Sequence, residues 1–290
     1  MTGKLAERVA VVTGAGQGLG RSYAIGLAAQ GAKVVVNDIG KNDAGTWTAE
    51  AVVEEILEAG GDAVANTDSV ASGDGGKAIV QAALDHFGSI DILVSNAGIE
   101  RNKSYAKSDE SHWDPVIDVH LNGTHHLCHA AWPHMKERGH GRVILVTSPS
   151  GLWGNFSQAS YAAAKMGIIG LANVLAIEGK RYGILVNSLA PIATTPMSAH
   201  TLPPGLGEKL PPDLVTPAIV KLASDDLDVT GAVLVAGGGW FTSAHIAIAP
   251  GVHLKPGEQL EDHWDQVLDG SAIEPGAPLD PDTLSAMFSG

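Results

Sequence analysis

A chain of 290 residues, 44% of them hydrophobic, is long enough to bury a large core, and one α/β domain of this length needs no second domain. With 18 Lys and Arg against 32 Asp and Glu, the formal net charge of −14 argues against a nucleic-acid surface and against general adhesion to anionic membranes, while leaving room for a local cationic pocket that binds phosphates. The single cysteine, Cys128, has no internal disulfide partner and falls in an apolar-rich helical stretch, where a small buried residue is expected.

In chain order, Met1 to Arg8 is polar, lacks a secretion signal and feeds a short Val-rich strand ending at Thr13. Gly14-Ala-Gly-Gln17-Gly18-Leu19-Gly20 reads as a glycine turn, and Arg21 to Gln30 as a helix. Strand, glycine turn and helix together make a phosphate cradle. Glycines let backbone N–H groups approach a pyrophosphate without Cβ clashes, and the positive end of the helix favours its charge. The spacing departs from G-x-G-x-x-G, because Leu19 and Arg21 stand where a third glycine would fall. The next strand closes on Asp38, an acid able to accept both ribose hydroxyls of an adenosine and to repel the extra phosphate of NADP, so NAD is expected.

Further strands are predicted at Ala63–Asn66, Ile92–Ser95, Val143–Thr147, Leu185–Leu189 and Ala232–Val235, with helices near 21–30, 46–59, 73–87, 111–137, 158–182 and 212–224. Seven strands alternating with helices predict a Rossmann-type, doubly wound, seven-stranded parallel sheet covered by helices on both faces, with ligands beyond the carboxyl ends of the strands. His125 and His129, at i,i+4 beside His126, have the spacing of a zinc pair, but Cys or carboxylate ligands are not evident nearby and no metal is expected. Ser148 follows one strand end. Thirteen residues later, Tyr161 and Lys165 lie one helical turn apart, so a phenol and an ammonium share a helix face. A phenol with its usual pKa near about 10 is a poor base at neutral pH, and a neighbouring cation favours the phenolate. Taken alone, Tyr-x-x-x-Lys is common on exposed helices; the glycine cradle gives it meaning.

Pro and Gly become dense after Pro191. The segment near 191–212 reads as a substrate lid because it follows a strand end beside the site, with a passive surface loop as its alternative. Residues 1–244 are thus expected to form one dinucleotide-binding and catalytic domain, and 245–290 a C-terminal extension of unknown role. No apolar run reaches membrane-spanning length, and the terminal Met287-Phe-Ser-Gly290 lacks a peroxisomal address, so a cytoplasmic location is expected.

Thr13 to Gly20, Asn96-Ala97-Gly98, Ser148, and Tyr161 with Lys165 stand in the order and at the separations of the short-chain dehydrogenase/reductase family, which the chain resembles from about Leu5 to about Phe241. Val34-Val-Val-Asn-Asp-Ile-Gly40 and Val119-His-Leu-Asn-Gly123 look like the (3R)-hydroxyacyl-CoA dehydrogenase domain of peroxisomal multifunctional enzyme type 2 and its single-domain bacterial relatives. The resemblance implies that Tyr161 is the acid/base, that Lys165 lowers its pKa and holds the nicotinamide ribose, and that Ser148 orients the carbonyl. Gly14, Gln17, Gly18, Leu19 and Gly20 would surround the pyrophosphate, Asp68 would meet the adenine with Ser69 and Val70 beside it, and Asn96, Ala97 and Gly98 would let backbone approach the ribose. Pro191 to Thr195, including Thr194, would contact the carboxamide, although Ile192 replaces the usual Gly. His120 occupies the position of a proton-relay Asn; it either relays protons or satisfies a buried backbone carbonyl. Asn122 should face elsewhere.

The implied reaction is NAD-dependent interconversion of a secondary alcohol and a ketone, with a (3R)-3-hydroxyacyl-CoA as the leading substrate and a 17β-hydroxysteroid or other bulky alcohol as the alternative. A non-catalytic NAD-binding protein on the same fold is the remote reading. The expected partners are a small-molecule or CoA-ester substrate and a second copy of the chain, since family habit favours a homodimer or homotetramer built on the helices near 111–137 and 158–182.

Overall fold

The computed structural model describes residues 3–198, 205–270 and 274–275. The chain divides into two compact units, Met1–Ser243 and Ala244–Gly290. The first runs β1 (Val9–Thr13), α1 (Gly18–Ala29), β2 (Lys33–Asn37), α2 (Thr48–Glu58), β3 (Asp62–Asn66), α3 (Gly73–Phe87) and β4 (Ile92–Ser95). It continues with α4 (Glu110–Ile117), α5 (Gly123–Arg138), β5 (Gly141–Val146), α6 (Pro149–Trp153), α7 (Ala159–Gly179), β6 (Ile184–Ile192), α8 (Thr216–Ala223), β7 (Val233–Gly237) and β8 (Trp240–Ala244).

Successive strand side chains point to opposite faces of a sheet, and here both faces are apolar. Ala10, Val12, Val34 and Val36 enter one buried cluster with Tyr23 and Leu27 of α1, Val52 and Ile56 of α2, and Ile219 and Leu222 of α8. Val9, Val11, Val35 and Leu93 enter the other with Ile79 of α3, Leu127 and Met135 of α5, and Ile168 of α7. Each fully buried Leu or Ile side chain contributes about 1.5–3 kcal/mol relative to leaving it in water, so the two clusters fix which face each helix covers. Local signals end the helices: Ser72 Oγ accepts the Gly75 N–H at 3.1 Å to start α3, and Gly88 closes it at φ 78.

The sheet order is β3-β2-β1-β4-β5-β6-β7-β8. β1 pairs in parallel with both β2 and β4, so the chain reverses its direction of winding at β1 and opens a crevice beyond the strands' carboxyl ends. All seven predicted strands are present, and an eighth joins the edge. Gly238 and Gly239, at φ 56 and 80, connect β7 to β8, and a two-residue connection of this kind returns the chain antiparallel. β8 was invisible in the sequence because four of its five residues are exposed and no face of it is buried.

The stretch expected as one helix over 111–137 is three pieces. α4 ends at Ile117, Asp118–Asn122 makes a π-helical turn, and α5 follows. Ala159–Tyr182 corrects the expectation that no apolar run is long enough to cross a membrane: it is 24 residues long and apolar enough to do so by length and composition. In this fold Ile168, Ile169, Ala172 and Ala176 of α7 are buried, while Met166, Val174 and Ile177 lie on its outer side. Of the expected lid, residues 199–204 lie outside the described residues.

The second unit holds a two-stranded antiparallel sheet of β9 (Ala247–Ile248) and β10 (Glu274–Pro275), and a short helix α9 (Trp264–Val267). Lys255 N–H donates to Glu258 Oε2 at 2.9 Å, and His263 Nε2 lies 3.5 Å from the same oxygen.

Candidate active site

A cavity of about 460 Å³ opens where β1, β2, β3, β4, β5 and β6 end. A larger groove of about 650 Å³ lies between α1 and α8, lined by residues such as Ser22, Ile25 and Thr216; it shares no lining residue with the smaller cavity. The smaller cavity brings together the residues proposed from the sequence, except Ile192 and Thr194 of the run from Pro191 to Thr195.

At one end, the glycine turn lies against the turn after β4. Gly14 and Gly18 take φ of 63 and 55, conformations that favour glycine. A Cβ on Gly20 would lie 2.0 Å from the Gly14 carbonyl oxygen, so no side chain fits between the turn and the first coil of α1. Thr13 Oγ1 accepts the Asn96 and Ala97 N–H groups at 3.1 and 3.2 Å, and Asn96 Nδ2 donates to the carbonyls of Thr13 and Gly14 at 2.9 and 3.1 Å. Asn96 is therefore a tie between two turns. The first turn of α1 carries no acidic residue and no side-chain cap, which leaves its N–H groups and positive dipole end for an anion. This cradle fits a dinucleotide pyrophosphate.

Asp38 closes β2 with its carboxylate braced by backbone: Oδ2 accepts the Gly16 N–H at 2.8 Å and Oδ1 the Gly40 N–H at 2.7 Å. Each oxygen keeps a further lone pair, so the pre-oriented carboxylate suits two vicinal hydroxyls. Asp68 is held instead by a side chain, its Oδ2 accepting Asn66 Nδ2 at 2.8 Å, and its carbonyl accepts Asn37 Nδ2 at 2.9 Å. Among the described residues lining the cavity the only lysine or arginine is Lys165.

At the other end stand Ser148, Tyr161 and Lys165. Ser148 caps the short helix α6, its Oγ accepting the Ser150 N–H at 3.1 Å, so β5 delivers it to the cavity rim in one orientation. Thr147 Oγ1 donates to the Lys165 carbonyl at 2.6 Å and Lys165 Nζ to the Val146 carbonyl at 2.7 Å, which together sew α7 to the end of β5. Burial pushes the Tyr161 phenol up to about 12, opposed by a hydrogen bond with Ser148 and reinforced by the negative charge of Glu100. Burial pulls the Lys165 ammonium down to about 7. Nζ is tied to Val146, 5.6 Å from the phenol ring centroid, and desolvation is the largest influence on both groups.

His120 is 2% exposed and sits in the π-helical turn, which carries it under the loop after β4. Its Nε2 lies 2.8 Å from the Ile99 carbonyl oxygen and 3.0 Å from the Ile99 N–H, its ring meets Tyr161 edge-on at 5.1 Å, and Nδ1 is buried with no protein partner. A Cβ on Gly98 would fall 2.2 Å from His120 Cε1, so the glycine makes room for the ring. Burial lowers the imidazole to about 3, with Lys165 adding to the effect, and His120 stays neutral at working pH. Nε2 thus satisfies a buried backbone group in the loop after β4, while Nδ1 faces inward with no protein partner. Asn122 is tied to Asp118 at 2.9 Å on the exposed side.

Thr194 is one of the two exceptions. Its Oγ1 donates to the Gly207 carbonyl and its N–H to that of Leu210, both at 2.7 Å, so its side chain points to Gly207 while Ala193 and Thr195 face the cavity. Sequence reasoning also missed Glu100, Asn155 and Gln158 on the wall; Gln158, one turn before Tyr161, carried a legible signal in its spacing. His126 Nδ1 contacts the Val70 carbonyl at 3.1 Å, and no group of three His, Cys, Asp or Glu is placed to hold a metal ion among the described residues.

A doubly wound sheet with a glycine cradle, a braced acid after the second strand and a buried Tyr–Lys site at one switch point defines an oxidoreductase that acts on CH–OH groups. The short chain dehydrogenase family model matches residues 8–204, and the chain belongs to that family. It is 46% identical over 275 residues to a short-chain type dehydrogenase/reductase of Mycobacterium tuberculosis, covering 92% of this chain and 96% of that one. It is 44% identical to peroxisomal multifunctional enzyme type 2 of Drosophila melanogaster, covering 91% of this chain and 46% of that protein; the chain thus spans about half the length of that relative. A crystal structure of a short chain dehydrogenase from Mycobacterium avium superposes with a TM-score of 0.82 at 38% identity, covering 94% of this chain and 98% of that one.

Proposed function

We propose that the protein is an NAD-dependent dehydrogenase of (3R)-3-hydroxyacyl-CoA esters. The observation that carries this reading is one cavity lined at one end by the glycine turn and Asp38 and at the other by Ser148, Tyr161 and Lys165. The braced Asp38 carboxylate and the lack of an arginine or lysine near it, among the described lining residues, favour NAD over NADP. The similarity to multifunctional enzyme type 2 over nine-tenths of this chain supports the acyl-ester substrate.

NAD, when bound, supplies the hydride acceptor. The chain's own part is the proton and the alignment. In oxidation Tyr161, as the phenolate, takes the proton of the carbinol oxygen on Oη, and in reduction the neutral phenol returns it. Ser148 Oγ hydrogen-bonds the same oxygen and restricts its approach to the phenol. Lys165 has two N–H donors beyond the one spent on Val146, and they suit ribose hydroxyls. Ile99, Val119, Val146 and Ala193 give the wall its apolar part and keep bulk water from the reacting carbon.

The test is a panel of alcohols with NAD and NADP, followed by NADH or NADPH formation. The expected result is turnover of (3R)- over (3S)-3-hydroxyacyl-CoA, with kcat/KM higher for NAD by at least about tenfold. Turnover confined to 17β-hydroxysteroids would replace the substrate class, and turnover confined to sugars or small polyols would overturn both.

A further inference from the structure

Glu100 is the carboxylate at the substrate end of the cavity, where the mechanism above gives it no task. It follows Ile99 in the loop after β4 and is half-buried. Two amides hold it: Gln158 Nε2 donates to Oε1 at 3.2 Å and Asn102 Nδ2 to Oε2 at 3.0 Å. Gln158 is 7% exposed, stands three residues before Tyr161, and its Oε1 is buried without a hydrogen-bond partner. No salt bridge reaches Glu100 among the described residues: Arg101 donates to the backbone carbonyl of Glu100 instead, and Lys165 is spent on Val146. This end of the cavity therefore offers acceptors and a carboxylate that no salt bridge pairs among the described residues. That charge acts on the reacting centre, since Glu100 helps to hold the Tyr161 phenol up.

Building on the acyl-ester reading, we propose that Glu100, positioned by Gln158, is a specificity-determining residue whose carboxylate makes the reacting end of the cavity accept neutral 3-hydroxyacyl esters and reject the free 3-hydroxy acids. A free 3-hydroxy acid carries its carboxylate two carbons from the carbinol, so placing its hydroxyl on Tyr161 and Ser148 brings two like charges into one half-buried space. Esterification removes one of them. The phosphates of a CoA ester lie at the far end of the pantetheine arm and are not brought to the reacting carbon.

The experiment compares kcat/KM for (3R)-3-hydroxybutyrate and for its N-acetylcysteamine thioester in wild type, Glu100→Gln and Glu100→Asp. Glutamine keeps an oxygen for the Gln158 amide and removes the charge, at the loss of the Asn102 hydrogen bond. The thioester-to-acid ratio is expected to fall about tenfold in Glu100→Gln, the size of a like-charge repulsion partly screened by solvent, and to be retained in Glu100→Asp. A ratio that does not move in Glu100→Gln overturns the proposal, as does an equal fall in both variants, which is the mark of lost packing. If wild type oxidises neither compound, the acyl-ester reading falls and a second measurement decides Glu100. Ultraviolet difference titration of Tyr161 with saturating NAD, referenced to Tyr161→Phe, should show the phenolate forming at lower pH in Glu100→Gln. A downward move keeps Glu100's charge at the reacting oxygen; an unmoved midpoint removes it.

Discussion

The two ends of the cavity are built differently. At the cofactor end six hydrogen bonds each join a side chain to backbone: Thr13 Oγ1 and Asn96 Nδ2 tie two turns together, and the N–H groups of Gly16 and Gly40 brace the Asp38 carboxylate. At the catalytic end the chemistry rests on buried polar side chains, Tyr161, Lys165 and His120, each displaced from its usual protonation range by loss of water. The contrast teaches that binding is secured by geometry that costs little to keep rigid, whereas reactivity is held in groups whose burial destabilises the fold.

The comparison breaks most visibly at Tyr161. Tyr161→Phe should leave NAD binding nearly intact and reduce kcat by about 10²–10⁴-fold, the usual worth of a general acid–base, as read by steady-state kinetics beside NAD titration. Because the phenol is held up near 12, oxidation by wild type should also rise with pH above neutrality, and that rise should be absent in the residual activity of the variant. Turnover close to wild type would remove Tyr161 from the mechanism.

Gly20 tests the opposite end. Gly20→Ala places a methyl group where the Gly14 carbonyl stands, a clash that only main-chain movement relieves, at about 1–3 kcal/mol or more. NAD affinity measured by calorimetry should weaken by about tenfold or more, with the Tyr161 chemistry unaltered once NAD is saturating. An unchanged Kd would show that the cradle does not hold the pyrophosphate.

The smallest effect is on stability. An unfolded lysine titrates near about 10.4, whereas burial holds Lys165 near 7. Between those values the unfolded chain carries the extra proton and the native chain does not, so native stability rises with pH through that window and the burden of Lys165 is full at and below neutrality. Lys165→Met should therefore be inactive yet melt a few degrees above wild type at pH 7, with the gap closing toward pH 10 in scanning calorimetry; a gap that is absent or widens with pH would mean that burial of the ammonium carries no such cost.

Much of this was readable in advance because the signals were local. β1 and β4 fall where the Val- and Ile-rich runs placed them, since a strand buried on both faces must be apolar throughout. The glycine turn and Asp38 were readable for the same reason: their spacing along the chain is itself the geometry of the site. The break of 111–137 at a π-helical turn was not readable, because Asp118 to Asn122 has ordinary helical residues and the extra residue per turn is set by packing of His120 under Ile99. Thr194 and Thr195 are chemically alike, and only the hydrogen bonds to Gly207 and Leu210 select which one faces the cavity.

The amino-acid order by itself determined the alternation of strands and helices, the phosphate cradle and the Tyr–Lys helix face, all properties of residues near one another in the chain. Only the tertiary structure decided the side of the sheet each helix covers, the protonation of the buried phenol and ammonium, and the arrival of Glu100 beside Gln158. These depend on which groups lose water together, and desolvation is a property of the assembled molecule.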